Sequence, residues 1–284
     1  MSLIRLTNLC NEKCLFCNFP DDCRTLSLDE VKEEIDKSNA DSQVTFTGGE
    51  PTIYPYIKEV INYAKENGIK DIEIQSNCLL LANLDFAKEL KENGLIGVFA
   101  TIHSNQQEIF EKITQIPGSF EKTLQGIANI ISLGVEIRIN IVINSLNYKN
   151  LLEITKFIYK NFPQIKSIDY SFIVPCENVL QKPYLMPKIS EVVPELKKAY
   201  EFCLENKIKF SNPGCGIPLC FIPEYKDVSL EYNLLKNNKN ANIIQDNQKE
   251  KVKLLKCKSC EFDQYCLGVW QNYLKIRGDQ EFLI

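Results

Sequence analysis

The sequence predicts an α/β protein built on a parallel sheet. Three observations point there. Runs rich in Ile, Val, Phe and Thr recur 25 to 42 residues apart, amphipathic helical stretches with readable ends lie between them, and 44% of the 284 residues are hydrophobic, enough for a full core. Strands are expected near Ser2–Thr7, Val44–Thr47, Asp71–Gln75, Ile96–Ile102, Val135–Ile143 and Ser167–Phe172, the fifth alternating apolar and polar at its start. Ser27-Leu-Asp-Glu30 is a capping box that opens a helix burying Leu28, Val31 and Ile35. A helix carrying Ile57, Val60, Ile61 and Ala64 should stop at Gly68, and one carrying Phe120, Leu124, Ile127 and Ile131 at Gly134. Periodicity alone leaves open whether the sheet is flat, a partial barrel or closed, although six units fall short of an eight-unit barrel.

The rhythm stops after Phe172. Residues 174–189 are interrupted by Pro175, Pro183 and Pro187, Ser190 is expected to cap a helix running to about Asn206, and Lys226–Lys256 reads as a solvated, partly mobile connection. The expected division is 1–175 for the repeating units, 176–210 for a connecting region and 211–284 for a cysteine-rich tail.

Composition excludes several functions. No run approaches the roughly 18 apolar residues of a membrane span, and Met1 leads directly into a strand-like segment without a secretory leader, so a cytoplasmic enzyme is expected. A formal charge of −4 argues against a dedicated nucleic-acid surface. One histidine, His103, nearly excludes a His-based triad or a multi-His metal site. Twelve cysteines are many for a leaderless chain, and they cluster: Cys10, Cys14 and Cys17 at one end, Cys257, Cys260 and Cys266 at the other. Gaps of this size suit thiolates converging on a metal centre better than a disulfide scaffold.

Cys10-Asn-Glu-Lys-Cys14-Leu-Phe-Cys17 follows the first strand, and loops after strand C-termini form the ligand crevice of a parallel sheet. Three thiolates suit a four-iron cluster with one iron left open; a structural zinc site borrowing Cys23 is the alternative. The next strand ends in Thr47-Gly48-Gly49-Glu50-Pro51, whose glycines permit close backbone approach and whose carboxylate suits a ligand ammonium.

Together these motifs resemble the radical S-adenosylmethionine (SAM) superfamily, over roughly residues 1–175. The resemblance implies a partial (β/α)6 barrel, a [4Fe–4S] cluster on Cys10, Cys14 and Cys17, SAM chelating the open iron through its methionyl group, and reductive cleavage to a 5′-deoxyadenosyl radical that abstracts a substrate hydrogen. It also implies a flavodoxin- or ferredoxin-type electron donor. Gly48, Gly49 and Glu50 match the motif that holds the SAM amino group, and Phe16 would lie by the adenine. Ser76 and Asn77 end the third strand where many members carry Thr-Asn-Gly, with Cys78 replacing the glycine. Thr101 is similarly placed toward the ribose, and Arg138 and Asn140 share a strand face as the family's carboxylate and ribose contacts do. His103, two residues beyond Thr101, is either a cavity-facing proton donor or substrate contact, or an ordinary hydrogen-bonded histidine.

Cys257-x2-Cys260-x5-Cys266 is similar to the SPASM/twitch extensions of that superfamily, which carry auxiliary iron–sulfur clusters. Trp270 stands where a full SPASM domain has its next cysteine, which favours a shortened extension with one auxiliary cluster, by resemblance [4Fe–4S]. Cys220 and Cys215 compete as fourth ligand, Cys220 being preferred for the Ile-Pro-Leu run before it; a zinc ribbon is the alternative. Cys23, Cys78, Cys176 and Cys203 have no assigned role. The resemblance favours oxidative modification or crosslinking of a ribosomally made peptide. With nine residues before Cys10, a separate leader-peptide recognition protein or a direct tail contact would be needed. The alternatives are radical oxidation or rearrangement of a small metabolite, such as an aminoglycoside-type or nucleotide precursor, and a non-enzymatic metal-binding module.

Overall fold

All six strand-like runs pair with their sequence neighbours in parallel, and a short seventh strand extends the sheet. In the computed structural model, which describes residues 2–18, 23–38, 43–237 and 250–282, the strands β1 (Ser2–Thr7), β2 (Gln43–Gly48), β3 (Asp71–Ser76), β4 (Gly97–Thr101), β5 (Glu136–Ile143), β6 (Ser167–Phe172) and β7 (Phe210–Ser211) lie in sequence order. Alternation assigns the two faces. Ile137, Ile139, Ile141 and Ile143 of β5 are buried toward the helices, as are Val98 and Ala100 of β4 and Ile72 and Ile74 of β3. Each large aliphatic side chain removed from water in this layer contributes about 1.5–3 kcal/mol. The intervening positions, among them Thr47, Gln75, Phe99, Thr101, Asn140 and Ser171, face the opposite side and line a cavity.

The helices start and stop for local reasons. Helix α1 (Leu28–Asp36) is opened by the expected capping box: the Glu30 N–H donates to Ser27 Oγ (3.3 Å) and the Ser27 N–H to Glu30 Oε2 (2.7 Å). Helices α2 (Ile57–Glu66) and α5 (Ser119–Ser132) end before Gly68 and Gly134, both at positive φ (82° and 70°). Helices α3 (Leu84–Asn93), α4 (Gln107–Thr114) and α6 (Leu151–Asn161) complete the layer outside the sheet, and a short helix, α7 (Glu177–Gln181), follows β6.

Two expectations are corrected. Helix α8 (Ile189–Glu205) begins one residue before Ser190, with Lys188 as N-cap. The Ser190 N–H donates instead to Glu281 Oε2 (2.8 Å), so a carboxylate 91 residues away takes the place of a local hydroxyl. The stretch from Lys226 is not a plain connection either. It contains helix α9 (Leu230–Lys236) and, after residues 238–249, which lie outside the described residues, a two-residue strand β8 (Lys251–Val252) paired antiparallel with β9 (Val269–Trp270). Glu231 is 9% exposed, and the Lys251 side chain 5%. An ion pair between them (2.6 Å) is what draws these polar positions inward.

The tail belongs partly to the main core. Ile217, Ile222, Val269, Trp270, Tyr273 and Phe282 join the cluster formed by the sheet and helices, whereas Leu219, Tyr232 and Phe262 form a small cluster beside Cys260 and Cys266. The final helix, α10 (Gln271–Arg277), docks through Tyr273, whose hydroxyl accepts the Ile189 N–H (3.0 Å), and Asn272, whose amide donates to the Pro175 carbonyl (3.1 Å).

Candidate active site

The loop after β1 is pinned from two sides. The Lys13 and Leu15 N–H groups donate to the Thr114 and Ile113 carbonyls at the end of α4 (3.0 Å each), while Asn178 Nδ2 (2.9 Å) and the Cys176 thiol (3.4 Å) donate to the Cys17 carbonyl. This holds Cys10, Cys14 and Cys17 on the wall of a cavity of about 1010 Å³, its open mouth included. Cys176, without a role in the sequence reading, thus anchors the thiol-bearing loop.

The Gly48-Gly49 pair is required by close approach. A Cβ on Gly48 (φ 136°) would lie 2.2 Å from the Thr7 carbonyl oxygen, and one on Gly49 2.0 Å from that of Leu9. The Gly49 N–H donates to Thr7 (2.6 Å) and the Glu50 N–H to Leu9 (2.8 Å), so the two loops move as one. Glu50 is 1% exposed. Its Oε1 accepts the Thr52 N–H (3.0 Å), the Thr52 hydroxyl (2.5 Å) and the Ser76 hydroxyl (2.9 Å), and its Oε2 the Asn77 N–H (2.8 Å). Burial still lifts this carboxyl above its ordinary range, the four donors only opposing the effect. A ligand ammonium would supply the positive charge that favours the ionised form.

Ser76 and Asn77 therefore act first as positioning residues for Glu50. Asn77 also donates to Asn11 Oδ1 (2.6 Å), joining the third strand's end to the cysteine loop. Cys78, at the place of the expected glycine, keeps a glycine-like backbone (φ 65°). Its N–H is taken by Ser76 Oγ (2.9 Å), and Thr123 Oγ1 donates to the Asn77 carbonyl (2.9 Å).

Phe16, Gly48, Gly49, Glu50, Ser76, Asn77, Thr101, His103 and Asn140 line this cavity with the three thiols. Arg138 does not. It lies one strand step below Asn140 and is engaged by carboxylates: Nη2 and Nε donate to Glu73 (2.7 and 3.1 Å) and Nη1 to Asp169 (3.3 Å), with the guanidinium 4.4 Å from the Phe99 ring centroid. The carboxylate-contact expectation is corrected on this geometry, because the guanidinium's fork is already taken. His103 is 2% exposed, packs edge-on against Phe16 (5.1 Å) and near Phe110 (6.1 Å), and has no partner at Nδ1. Burial lowers its pKa to about 4, which leaves it neutral at physiological pH and unable to serve there as an imidazolium donor.

Burial pushes Cys10 up to about 12 and Cys14 well above its ordinary value, so loading them with metal releases protons. Glu12, missed by the sequence reading, is 7% exposed beside them; its N–H donates to Cys10 Sγ and its Oε2 accepts the Cys14 thiol (3.3 Å each). Its only sequence signal is its place inside the cysteine loop.

In the tail, Cys220, Cys257, Cys260 and Cys266 line a second pocket of about 390 Å³. Cys215 lies elsewhere, on the wall of the first cavity beside Ser171 and Phe172, and Cys220 is the one of the two that lines the tail pocket. Among the described residues no three His, Cys, Asp or Glu side chains are gathered to hold a single metal ion. A tetrahedral zinc with bonds of about 2.3 Å would bring its sulfurs within about 4 Å of one another.

The sequence pattern of the radical SAM superfamily matches residues 4–158. The chain belongs to the radical SAM superfamily. Radical SAM enzymes use a [4Fe–4S] cluster and SAM. Similar curated proteins include a probable GTP 3′,8-cyclase of Saccharolobus islandicus, 33% identical over 161 residues that make up 55% of this chain and 50% of the relative. Another, of Sulfurisphaera tokodaii, is 31% identical over 160 residues, 54% and 50% of the two chains. The match thus spans about half the length of these relatives. Among solved structures, Streptococcus suis SuiB bound to S-adenosylmethionine has a TM-score of 0.70 at 16% identity, covering 96% of this chain and 73% of SuiB. The structure of anSMEcpe with bound AdoMet has a TM-score of 0.69 at 17% identity, covering 95% and 89%. The likeness is one of fold, and it extends through the tail.

Proposed function

We propose that the protein reductively cleaves SAM and uses the resulting radical to abstract hydrogen from a peptide, leading to oxidative modification or crosslinking. The observation that carries this reading is the presence of two separate thiol-lined pockets in one folded unit. Cys10, Cys14 and Cys17 would hold the SAM-binding cluster, and Cys220, Cys257, Cys260 and Cys266 one auxiliary cluster. With cluster and SAM bound, the chemistry supplied is one-electron cleavage of SAM to methionine and a hydrogen-abstracting 5′-deoxyadenosyl radical.

The chain's own residues do the rest. Gly48 and Gly49 let the backbone close on the ligand, Glu50 receives its ammonium, and Ser76 and Asn77 keep that carboxylate aimed. Phe16, Thr101 and Asn140 line the space for the adenosyl group. Beyond them Val142, Phe172 and Val174, with Ser171 and Cys215, form a wall of apolar and small polar groups. Such a wall suits a peptide side chain better than a triphosphate, which calls for Arg or Lys. SuiB, similar in fold, has been solved bound to its precursor peptide SuiA. The second reading, a nucleotide substrate, is favoured by the GTP 3′,8-cyclase relatives.

The division at 175 and 210 belongs to this proposal, with β7 straddling the second boundary. So does a flavodoxin- or ferredoxin-type reductant, with a separate recognition protein for a leader peptide. No helix among the described residues is long and apolar enough to cross a membrane. The test is Cys14→Ala in anaerobically reconstituted protein with dithionite: 5′-deoxyadenosine formation should be abolished. Normal formation by that variant refutes the assignment. Substrate-dependent acceleration by precursor peptides, and not by GTP, decides between the two substrates.

A further inference from the structure

One loop serves both pockets. Between Gly214 and Cys220 the chain presents Cys215 to the SAM cavity and, five residues on, Cys220 to the tail pocket. Between them lies a small pocket of about 240 Å³ lined by Phe172, Gly216, Lys251, Gly268 and Trp270 among others. Lys251 sits in its wall, its ammonium bound to Glu231 Oε2 (2.6 Å) and the Gly214 carbonyl (2.8 Å), 5.3 Å from the Trp270 ring centroid. The other carboxylate oxygen of Glu231 accepts the N–H of Leu267, next to Cys266. The pair therefore runs from the residue before Cys215 to the residue after Cys266.

We propose that Lys251 and Glu231 form a buried ionic strap between the substrate cavity and the auxiliary pocket, and that its two charges set the reduction potential of the cluster held there. This rests on the auxiliary-cluster reading given above. The charges act with opposite signs. Glu231 bonds the Leu267 N–H, one residue from Cys266, and Lys251 bonds Glu231, so negative charge arriving at the tail pocket is opposed by Glu231 and favoured by Lys251. Reducing a cluster adds one electron to it, and net charge and hydrogen bonding around the sulfurs are among the factors that set its potential. In a water-poor site neither charge is screened as it would be at the surface. Lys251 and Glu231 are thus positioning residues for the electron acceptor, at a place the sequence marks only as a lysine and an acid within a polar stretch.

The experiment is a redox titration of the anaerobically reconstituted full chain, following by electron paramagnetic resonance the cluster signal that SAM leaves unchanged. Glu231→Gln removes the charge and keeps an amide oxygen for one of the two donors, Lys251 Nζ or the Leu267 N–H; the potential should rise. Lys251→Met should lower it, and Lys251→Arg, which keeps the charge, should restore the value of the unsubstituted chain. Equal potentials for Glu231→Gln and the unsubstituted chain, or shifts of the two neutralising variants in the same direction, overturn the strap. An unsubstituted chain with no second cluster signal overturns the auxiliary-cluster reading instead, and the strap with it.

Discussion

Arg138 shares a strand face with Asn140 and yet belongs to the layer beneath the cavity. Its guanidinium offsets two buried carboxylates, Glu73 and Asp169, and Asp169 is held further by the Ser211 hydroxyl (2.9 Å). Breaking a buried pair from one side typically costs about 3–5 kcal/mol. Arg138→Met is therefore expected to lose stability of that order in chemical denaturation, while the folded fraction keeps its SAM affinity. A contact to the SAM carboxylate would show the reverse pattern, an affinity loss at unchanged stability. His103 supports a second prediction at this scale. Its pKa is lowered on folding from an ordinary 6.5 to about 4. The unfolded chain takes up the proton first as pH falls, so this stabilising contribution is complete above about pH 6.5 and is lost progressively toward pH 4, by about 3 kcal/mol in total. Subtracting the unfolding free energies of His103→Phe from those of the unsubstituted chain across pH 4–7 should reveal that slope. A flat difference would refute the buried neutral histidine.

At the scale of elements, the site depends on helices that do not line its cavity. Gly126 lies inside α5 because a Cβ there would stand 2.2 Å from the Cys78 carbonyl oxygen. That close approach seats α5 on the turn that carries Asn77 and, through it, Glu50. Gly126→Ala should cost about 1–3 kcal/mol as an overpacking substitution. It should also weaken SAM binding, measured by isothermal titration of the reconstituted protein, because the displaced turn loosens the donors to Glu50. Unchanged affinity would show that the turn and the carboxylate are not coupled. Much at this scale was legible in the sequence: the capping box at Ser27, the stops at Gly68 and Gly134, and the order of the six strands follow from local chemistry. The start of α8 was not, because its capping acceptor, Glu281, arrives from the far end of the chain.

At the scale of the whole molecule, the two cysteine groups open into separate pockets in a single folded unit whose main core reaches from Ile4 to Phe282. If each group carries four irons, the reconstituted chain should hold about eight, falling to about four when Cys257, Cys260 and Cys266 are replaced together. Four irons and one zinc in the unsubstituted chain would make the tail site a structural ribbon. Iron and zinc content by plasma emission spectroscopy reads the answer directly.

By itself the sequence determined what short-range patterns can encode. The βα rhythm follows from hydrophobic periodicity, the cysteine loop and the Gly-Gly-Glu turn from spacings of a few residues after a strand, and superfamily membership from the order of those motifs. Only the tertiary structure decided which long-range partners win. Spacing could not separate Cys215 from Cys220, because both lie in one loop and point into different pockets. Strand alternation placed Arg138 on the inner face and was blind to the two carboxylates that neighbouring strands bring to it. The polar stretch around Glu231 and Lys251 reads as solvated until the fold sets the two charges 2.6 Å apart. Pairing energies between residues distant in the chain depend on where the whole sheet and tail place them, and no local pattern carries that information.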